Sequence, residues 1–140
     1  SVMKIILIVL LLLASTSRSW AGDEAEANAR ALASAVHDYM IATYGCQKYV
    51  GGLSMYQSAK QTAEDTFVQM GVNKNKAVIL IDRGEDKIKQ AHPEKKIEEM
   101  KEENGVKLTE SDKREGCLQT ISDARDKVRL FKAKLSLLNN

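Results

Sequence analysis

The chain has 140 residues, of which 44% are hydrophobic and 29% charged, and its formal net charge is +2. The first 21 residues contain Lys4 and Arg18 but no acidic residue, so the rest of the chain holds nineteen basic and nineteen acidic residues. This neutral balance lacks the basic excess on which nucleic-acid binding depends, and we expect no nucleic-acid partner.

The N-terminal segment has the pattern of a secretory signal peptide. Met3 and Lys4 precede an apolar run at residues 5–13, and small residues at positions 19 and 21 mark a cleavage site. The two residues ahead of Met3 are interpreted as a scar or an upstream extension. The apolar run is about half as long as a membrane-spanning helix, so no stable membrane anchor is expected after cleavage.

The sequence therefore predicts a signal peptide over residues 1–21 and a single helical domain over residues 22–140. The protein is expected to be exported, either to a periplasm or outside the cell. The short n-region with one lysine is typical of bacterial signal peptides.

Two amphipathic helices are predicted in the apolar half that follows. The first spans residues 23–43 and ends at Gly45, or at Gly51 and Gly52 if it continues. The second spans about residues 53–70 and ends at Gly71. The apolar stripe of the first helix is Leu32, Val36, Tyr39 and Met40. The stripe of the second is Leu53, Tyr56, Ala63, Phe67 and Met70.

A third helix is predicted from an N-cap within residues 73–75 to Ala91. Its inward-facing residues are expected to be Val78, Ile81 and Ile88. The apolar run at residues 77–81 is also compatible with a short strand, but no second run could pair with it, so a helix is preferred. After Pro93 the charged segment predicts a short, exposed fourth helix that ends at Asn104.

The last predicted helix is the clearest element of the sequence. Thr109 with Asp112, or Ser111 alone, supplies the start signal. Its a/d seam is Cys117, Ile121, Ala124, Val128, Phe131, Leu135 and Leu138. The residues that widen this face toward a bundle core are Leu118, Leu130 and Leu137. A monomeric bundle is therefore favoured over a coiled-coil dimer.

The chain contains two cysteines, Cys46 and Cys117. In an exported chain this predicts one disulfide, which would pin the last helix against the first helical hairpin. Tyr44, Tyr49 and Tyr56 are expected to pack around the sulfur atoms. The predicted fold class is all-α, a small bundle of four to five helices pinned by one disulfide.

Catalytic and metal-binding patterns are weak in this sequence. His37 and Asp38 are adjacent and would lie on different faces of a helix. Neither His37 nor His92 has a second histidine or a cysteine at ligand spacing. We therefore expect no catalytic residue, no metal and no cofactor, and an unrecognised enzyme is kept as a second alternative.

Binding is the expected function, in one of two forms. In the first, the protein binds an unknown protein partner, as an inhibitor, an immunity-type protein, a chaperone or an effector. The candidate interaction surface, expected to be exposed, is Lys48, Tyr49 and Tyr56. In the alternative, the bundle carries a small hydrophobic ligand in an internal cavity. The candidate lining of that cavity is Met40, Met55, Phe67 and Met70.

Overall fold

The computed structural model describes residues 20–139, and this part of the chain is almost entirely helical. The five α-helices are α1 (Trp20–Gly45), α2 (Ser54–Gln69), α3 (Lys74–Ala91), α4 (Pro93–Glu98) and α5 (Glu110–Asn139). A 3-10 turn, Gln47–Tyr49, joins α1 to α2, and the one strand-type pairing within residues 20–139 is an isolated bridge between Lys101 and Lys107. The all-α prediction is confirmed, as is the helical interpretation of residues 77–81.

The predicted signal peptide lies almost wholly outside the described residues. Only its last two residues, Trp20 and Ala21, are described, and they form the start of α1. The signal peptide stays a prediction. No helix within residues 20–139 carries an apolar stretch long enough to cross a bilayer.

The two longest helices, α1 and α5, pack along each other and form the axis of the bundle. They run in opposite directions, because the disulfide joins the residue after the end of α1 to the second turn of α5. The second helix folds back along α1, α3 packs on α2, and α4 packs on α1. The molecule is therefore built outward from α1, which contacts every other helix.

Local sequence signals explain most of the helix ends. The hydroxyl of Thr109 accepts a hydrogen bond of 3.1 Å from the Asp112 backbone N–H, and the Asp112 carboxylate accepts one from the Thr109 N–H. This capping box starts α5 and confirms Thr109, rather than Ser111, as the start signal. The Asn73 side chain caps α3 in the same way, and Gly71 ends α2 with a φ of 96°, a conformation that favours glycine.

Six apolar residues that the sequence placed inward are exposed instead. They are Leu53, Val78, Leu118, Leu130, Leu137 and Leu138. Most belong to α5, which packs mainly along α1, so only the narrow strip that faces one partner helix is covered. The prediction of a wide core-facing surface on this helix is wrong. The other two predictions, for Leu53 and Val78, are wrong for local reasons. Leu53 precedes the start of α2, and Val78 lies beside the buried stripe of α3.

The fourth helix is shorter than predicted. It ends at Glu98 rather than at Asn104, and the chain continues as a loop over residues 99–109. The Asn104 side chain accepts a hydrogen bond from the Val106 N–H, and the Glu102 N–H donates to the Val106 carbonyl. Asparagine side chains compete in this way with helical hydrogen bonds, which favours a turn here.

The predicted disulfide between Cys46 and Cys117 is present. The two Cα atoms lie 5.7 Å apart, and the bond closes a loop between positions separated by 71 residues. Both cysteines are buried in the core, together with Tyr49 and Tyr56. The bond pins α5 to the first hairpin, as the sequence predicted.

Candidate functional site

The predicted interaction surface does not form, because two of its three residues are buried. Tyr49 is 8% exposed and Tyr56 is 2% exposed, so the expectation that they are exposed is wrong. Tyr49 lies in the 3-10 turn that packs against α5, and Tyr56 lies in α2 among core residues. Lys48 is exposed as expected, and its ammonium lies 3.1 Å from the Glu98 carboxylate, whose hydrogen bond raises the pKa of Lys48.

Tyr56 instead belongs to a polar cluster between α2 and α3, formed with Lys60, Glu85 and Lys89. The Tyr56 hydroxyl donates a hydrogen bond of 2.6 Å to Glu85 Oε2, and Lys60 Nζ lies 2.8 Å from the same oxygen. Lys89 Nζ lies 3.5 Å from the other carboxylate oxygen. The charged groups of this cluster are thus paired with one another.

The pKa values of the cluster follow from this pairing. Burial and the hydrogen bond to Glu85 raise the pKa of Tyr56. Burial alone would also raise the pKa of Glu85, but the hydrogen bonds from Lys60 and Tyr56 and the charges of Lys60 and Lys89 outweigh it, and the net shift is downward. The cluster therefore favours an ionised carboxylate and a neutral phenol, which is the arrangement of a structural network.

The residues predicted to line an internal cavity are packed in or against the core. Met40, Phe67 and Met70 are buried, and Met55 is partly buried against them. None of the four lines the larger cavity found in the described residues. Ordinary core packing accounts for the positions of these four side chains, and they do not contribute to that cavity.

An apolar groove of about 500 Å³ lies elsewhere, over the disulfide, and is open to solvent on one side. It is bounded by α1, α4, α5 and the loop of residues 99–109, and we call it the disulfide groove. Its apolar lining is Ile41, Ala42, Cys46, Pro93, Ile97, Met100, Leu108 and Cys117. The other lining residues are Asp38, Lys96, Asp112, Lys113, Gly116 and Thr120.

One wall of the disulfide groove is α4, which approaches α1 closely at Gly45. A Cβ atom on Gly45 would lie 2.9 Å from Ile97 Cδ1 and 3.2 Å from Pro93 Cβ. At the other end of α4, Lys113 Nζ donates a hydrogen bond of 2.9 Å to the Glu98 carbonyl oxygen. One end of α4 can therefore pack closely on α1 because Gly45 has no side chain, and the other end is held by the hydrogen bond from Lys113.

The wall formed by α5 contains a glycine inside a helix. Gly116 lies in the second turn of α5, and a Cβ atom built on it would meet no atom within 4 Å. Glycine inside a helix costs about 1 kcal/mol relative to alanine. Packing among residues 20–139 gives no reason for this cost. The missing side chain leaves the groove wider than any other residue would.

Two features of the sequence mark this site. Ile97 and Met100 are the two apolar residues in the charged segment 94–105, which indicates a contact on one side of it. Gly116 interrupts the strongest predicted helix directly before Cys117. These three residues line one groove only because the tertiary fold brings their segments of the chain together, and no local sequence pattern predicts that arrangement.

Neither histidine belongs to a metal-type cluster within residues 20–139. His37 is partly buried, and burial lowers its pKa while the charge of Asp38 raises it. His92 is exposed, and its Nδ1 lies 3.2 Å from Glu94 Oε1. Within residues 20–139, no group of three or more histidine, cysteine or acidic side chains is placed to hold a metal ion.

Comparison with known proteins finds no match among family models, curated proteins or solved structures. The disulfide groove is therefore interpreted from its own geometry.

Proposed function

We propose that this protein is an exported binding protein that carries a small apolar ligand in the disulfide groove. The observation that carries the proposal is the groove itself. Its volume of about 500 Å³ and its largely apolar lining fit the range of roughly 300–1,000 Å³ found for small-molecule sites. Gly116 adds support, since a helix residue of low propensity keeps this space open.

Export is supported by the signal-peptide pattern of residues 1–21 and by the disulfide. A buried disulfide is compatible with an oxidising compartment, where such bonds form and persist. A carrier in such a compartment meets apolar molecules in an aqueous space, and a groove that is open on one side allows loading and release.

Binding without catalysis is proposed because two polar groups of the groove each hydrogen-bond to the backbone of a groove wall. The Asp112 carboxylate accepts the hydrogen bond that caps α5, and the Lys113 ammonium donates to the end of α4. Both groups stabilise the groove walls in these positions.

The test is a titration of the purified protein with the neutral fluorescent probe N-phenyl-1-naphthylamine. We expect the wild-type protein to bind it and the Gly116→Leu variant to bind at least about tenfold more weakly, because the new side chain occupies the groove. The matched control is Ala133→Leu, which adds the same side chain at an exposed position of the same helix. Equal affinity in the wild-type and Gly116→Leu proteins, or no binding by the wild-type protein, would contradict the proposal.

A protein partner is the second candidate. It is favoured by the exposure of Met100 and Val106, at 52% and 56%, in the loop that borders the groove. An apolar side chain of a partner could enter the groove while these two residues extend the contact. Native mass spectrometry of protein recovered from the exported fraction separates the candidates: a retained small molecule favours the carrier, and a defined complex with a second chain favours the partner.

A further inference from the structure

Lys113 is the one charged residue that is buried among the residues the structure describes. The residue is 9% exposed, and it lines the disulfide groove. Lysine is almost never buried without a paired charge, because removing an ammonium from water is costly. A buried ammonium in an apolar groove therefore indicates that another group compensates its charge.

The protein pairs this ammonium incompletely. An ammonium has three hydrogen-bond donors, and within residues 20–139 one of them is used, in the bond to the Glu98 carbonyl. The nearest carboxylate, that of Glu110, is 3.9 Å away on a side chain that is 69% exposed. Lys113 Nζ also lies 6.0 Å from the centre of the Tyr49 ring.

The Lys113 ammonium lies at one end of the groove. Its hydrogen-bond acceptor belongs to Glu98, and Ile97 and Met100, on either side of that residue, both line the groove. The ammonium thus lies where the apolar wall of α4 ends and the loop begins. A ligand with an alkyl chain along the wall would bring its head to this end.

We propose that the ligand of the disulfide groove is a single-chain amphiphile with an anionic head, and that Lys113 is the residue that binds the head. The alkyl chain lies against Ile41, Ile97 and the disulfide, and the head accepts hydrogen bonds from the donors of the Lys113 ammonium that the protein leaves unused. The inference rests on the proposed carrier function and specifies its ligand class.

The second lysine of the groove supplies an internal control. Lys96 also lines the groove, but it is exposed, so its charge is already solvated and a head group gains little by contacting it. A charge-assisted hydrogen bond to a buried ammonium is stronger. Lys113 and Lys96 are therefore expected to differ in their effect on binding.

The experiment is isothermal titration calorimetry with dodecanoate, dodecanol and dodecylammonium, with the two ionic compounds below their micelle concentrations and dodecanol below its solubility limit. We expect the wild-type protein to bind dodecanoate at least about tenfold more tightly than dodecanol, and dodecylammonium most weakly. Lys113→Met should abolish the preference for dodecanoate, and it should weaken dodecanol binding by much less than dodecanoate binding, because only the anionic head depends on the ammonium charge. Lys113→Arg should keep the preference, and Lys96→Met should change it by less than about threefold.

Several results would overturn the ligand class while leaving the carrier function intact. These are equal affinities of the wild-type protein for dodecanoate and dodecanol, or a preference that persists in Lys113→Met. A parallel loss of dodecanol binding in Lys113→Met would show that Lys113 acts only by holding α4. If Lys113→Met does not fold, the head-group series on the wild-type protein decides the question. Failure of all three alkyl compounds and of the naphthylamine probe would instead reject the carrier function.

Discussion

Two groups of charged side chains in this molecule differ in how completely their charges are paired. Between α2 and α3, the Glu85 carboxylate accepts from the Tyr56 hydroxyl and has two lysine ammonium groups within 3.5 Å. In the disulfide groove, the buried Lys113 ammonium has one carbonyl acceptor and a carboxylate at 3.9 Å. The first site is satisfied by the protein itself, and the second is not.

The difference separates a structural site from a binding site. A paired, hydrogen-bonded network gains little from a ligand, since any ligand must first displace an existing partner. An under-paired charge beside an apolar groove gains from a ligand that brings a complementary group. Changes in the polar cluster should therefore alter stability, and changes in the groove should alter ligand binding.

The largest effect is expected from removing the disulfide, which contributes to the groove and to the whole fold. The double substitution Cys46→Ala and Cys117→Ala should lower the free energy of unfolding by about 4 kcal/mol, because the loop that the bond closes is long. Urea unfolding followed by circular dichroism measures this. Reductant should lower the free energy of unfolding of the wild-type protein by the same amount. A decrease of less than about 1 kcal/mol in the double variant would contradict the assignment of the bond as a main stabilising element.

A smaller effect, confined to stability, is expected from Tyr56→Phe. The variant loses a hydrogen bond to a charged acceptor, and its free energy of unfolding should fall by about 2 kcal/mol while its affinity for the naphthylamine probe is unchanged. The matched control is Tyr44→Phe, since the centre of the Tyr44 ring lies 5.1 Å from that of the Tyr56 ring and the hydrogen bond to Glu85 comes from Tyr56. Weakened probe binding in Tyr56→Phe would show that the two sites are coupled.

The smallest effect has the opposite sign and belongs to the groove. Gly116→Ala should raise the free energy of unfolding by about 0.5–1 kcal/mol, because alanine favours the helix and the new Cβ meets open space. Thermal unfolding measures the shift, and Gly45→Ala is the comparison, since its Cβ would approach Pro93 and Ile97. Destabilisation by Gly116→Ala would mean that the space at this position is not open.

Much of the fold could be predicted from the sequence because its signals are local. The capping box of Thr109 and Asp112 and the helical stripes determine where helices begin and which residues are apolar. The pairing of Cys46 with Cys117 needed no structure, because two cysteines allow one intramolecular bond. These predictions are confirmed.

The site could not be predicted because it depends on how many partners each helix has. An apolar stripe does not reveal whether one or two neighbours cover it, so Leu118 and Leu130 were expected inside and are exposed. The sequence analysis placed Tyr56 both on the apolar stripe of the second helix and in the candidate interaction surface, and the structure buries it. The groove combines residues from α1, α4 and α5 that only the tertiary arrangement brings together.

The disulfide also determines how the molecule carries a mechanical load. Because α1 and α5 are antiparallel and bridged at one end, a pull on the two ends of the described chain passes along α1, through the bond and along α5. The helices α2, α3 and α4 lie inside the closed loop and bear no tension while the bond is intact. Under force the pair would unzip from its unbridged end, and the groove above the bond would be the last part to open.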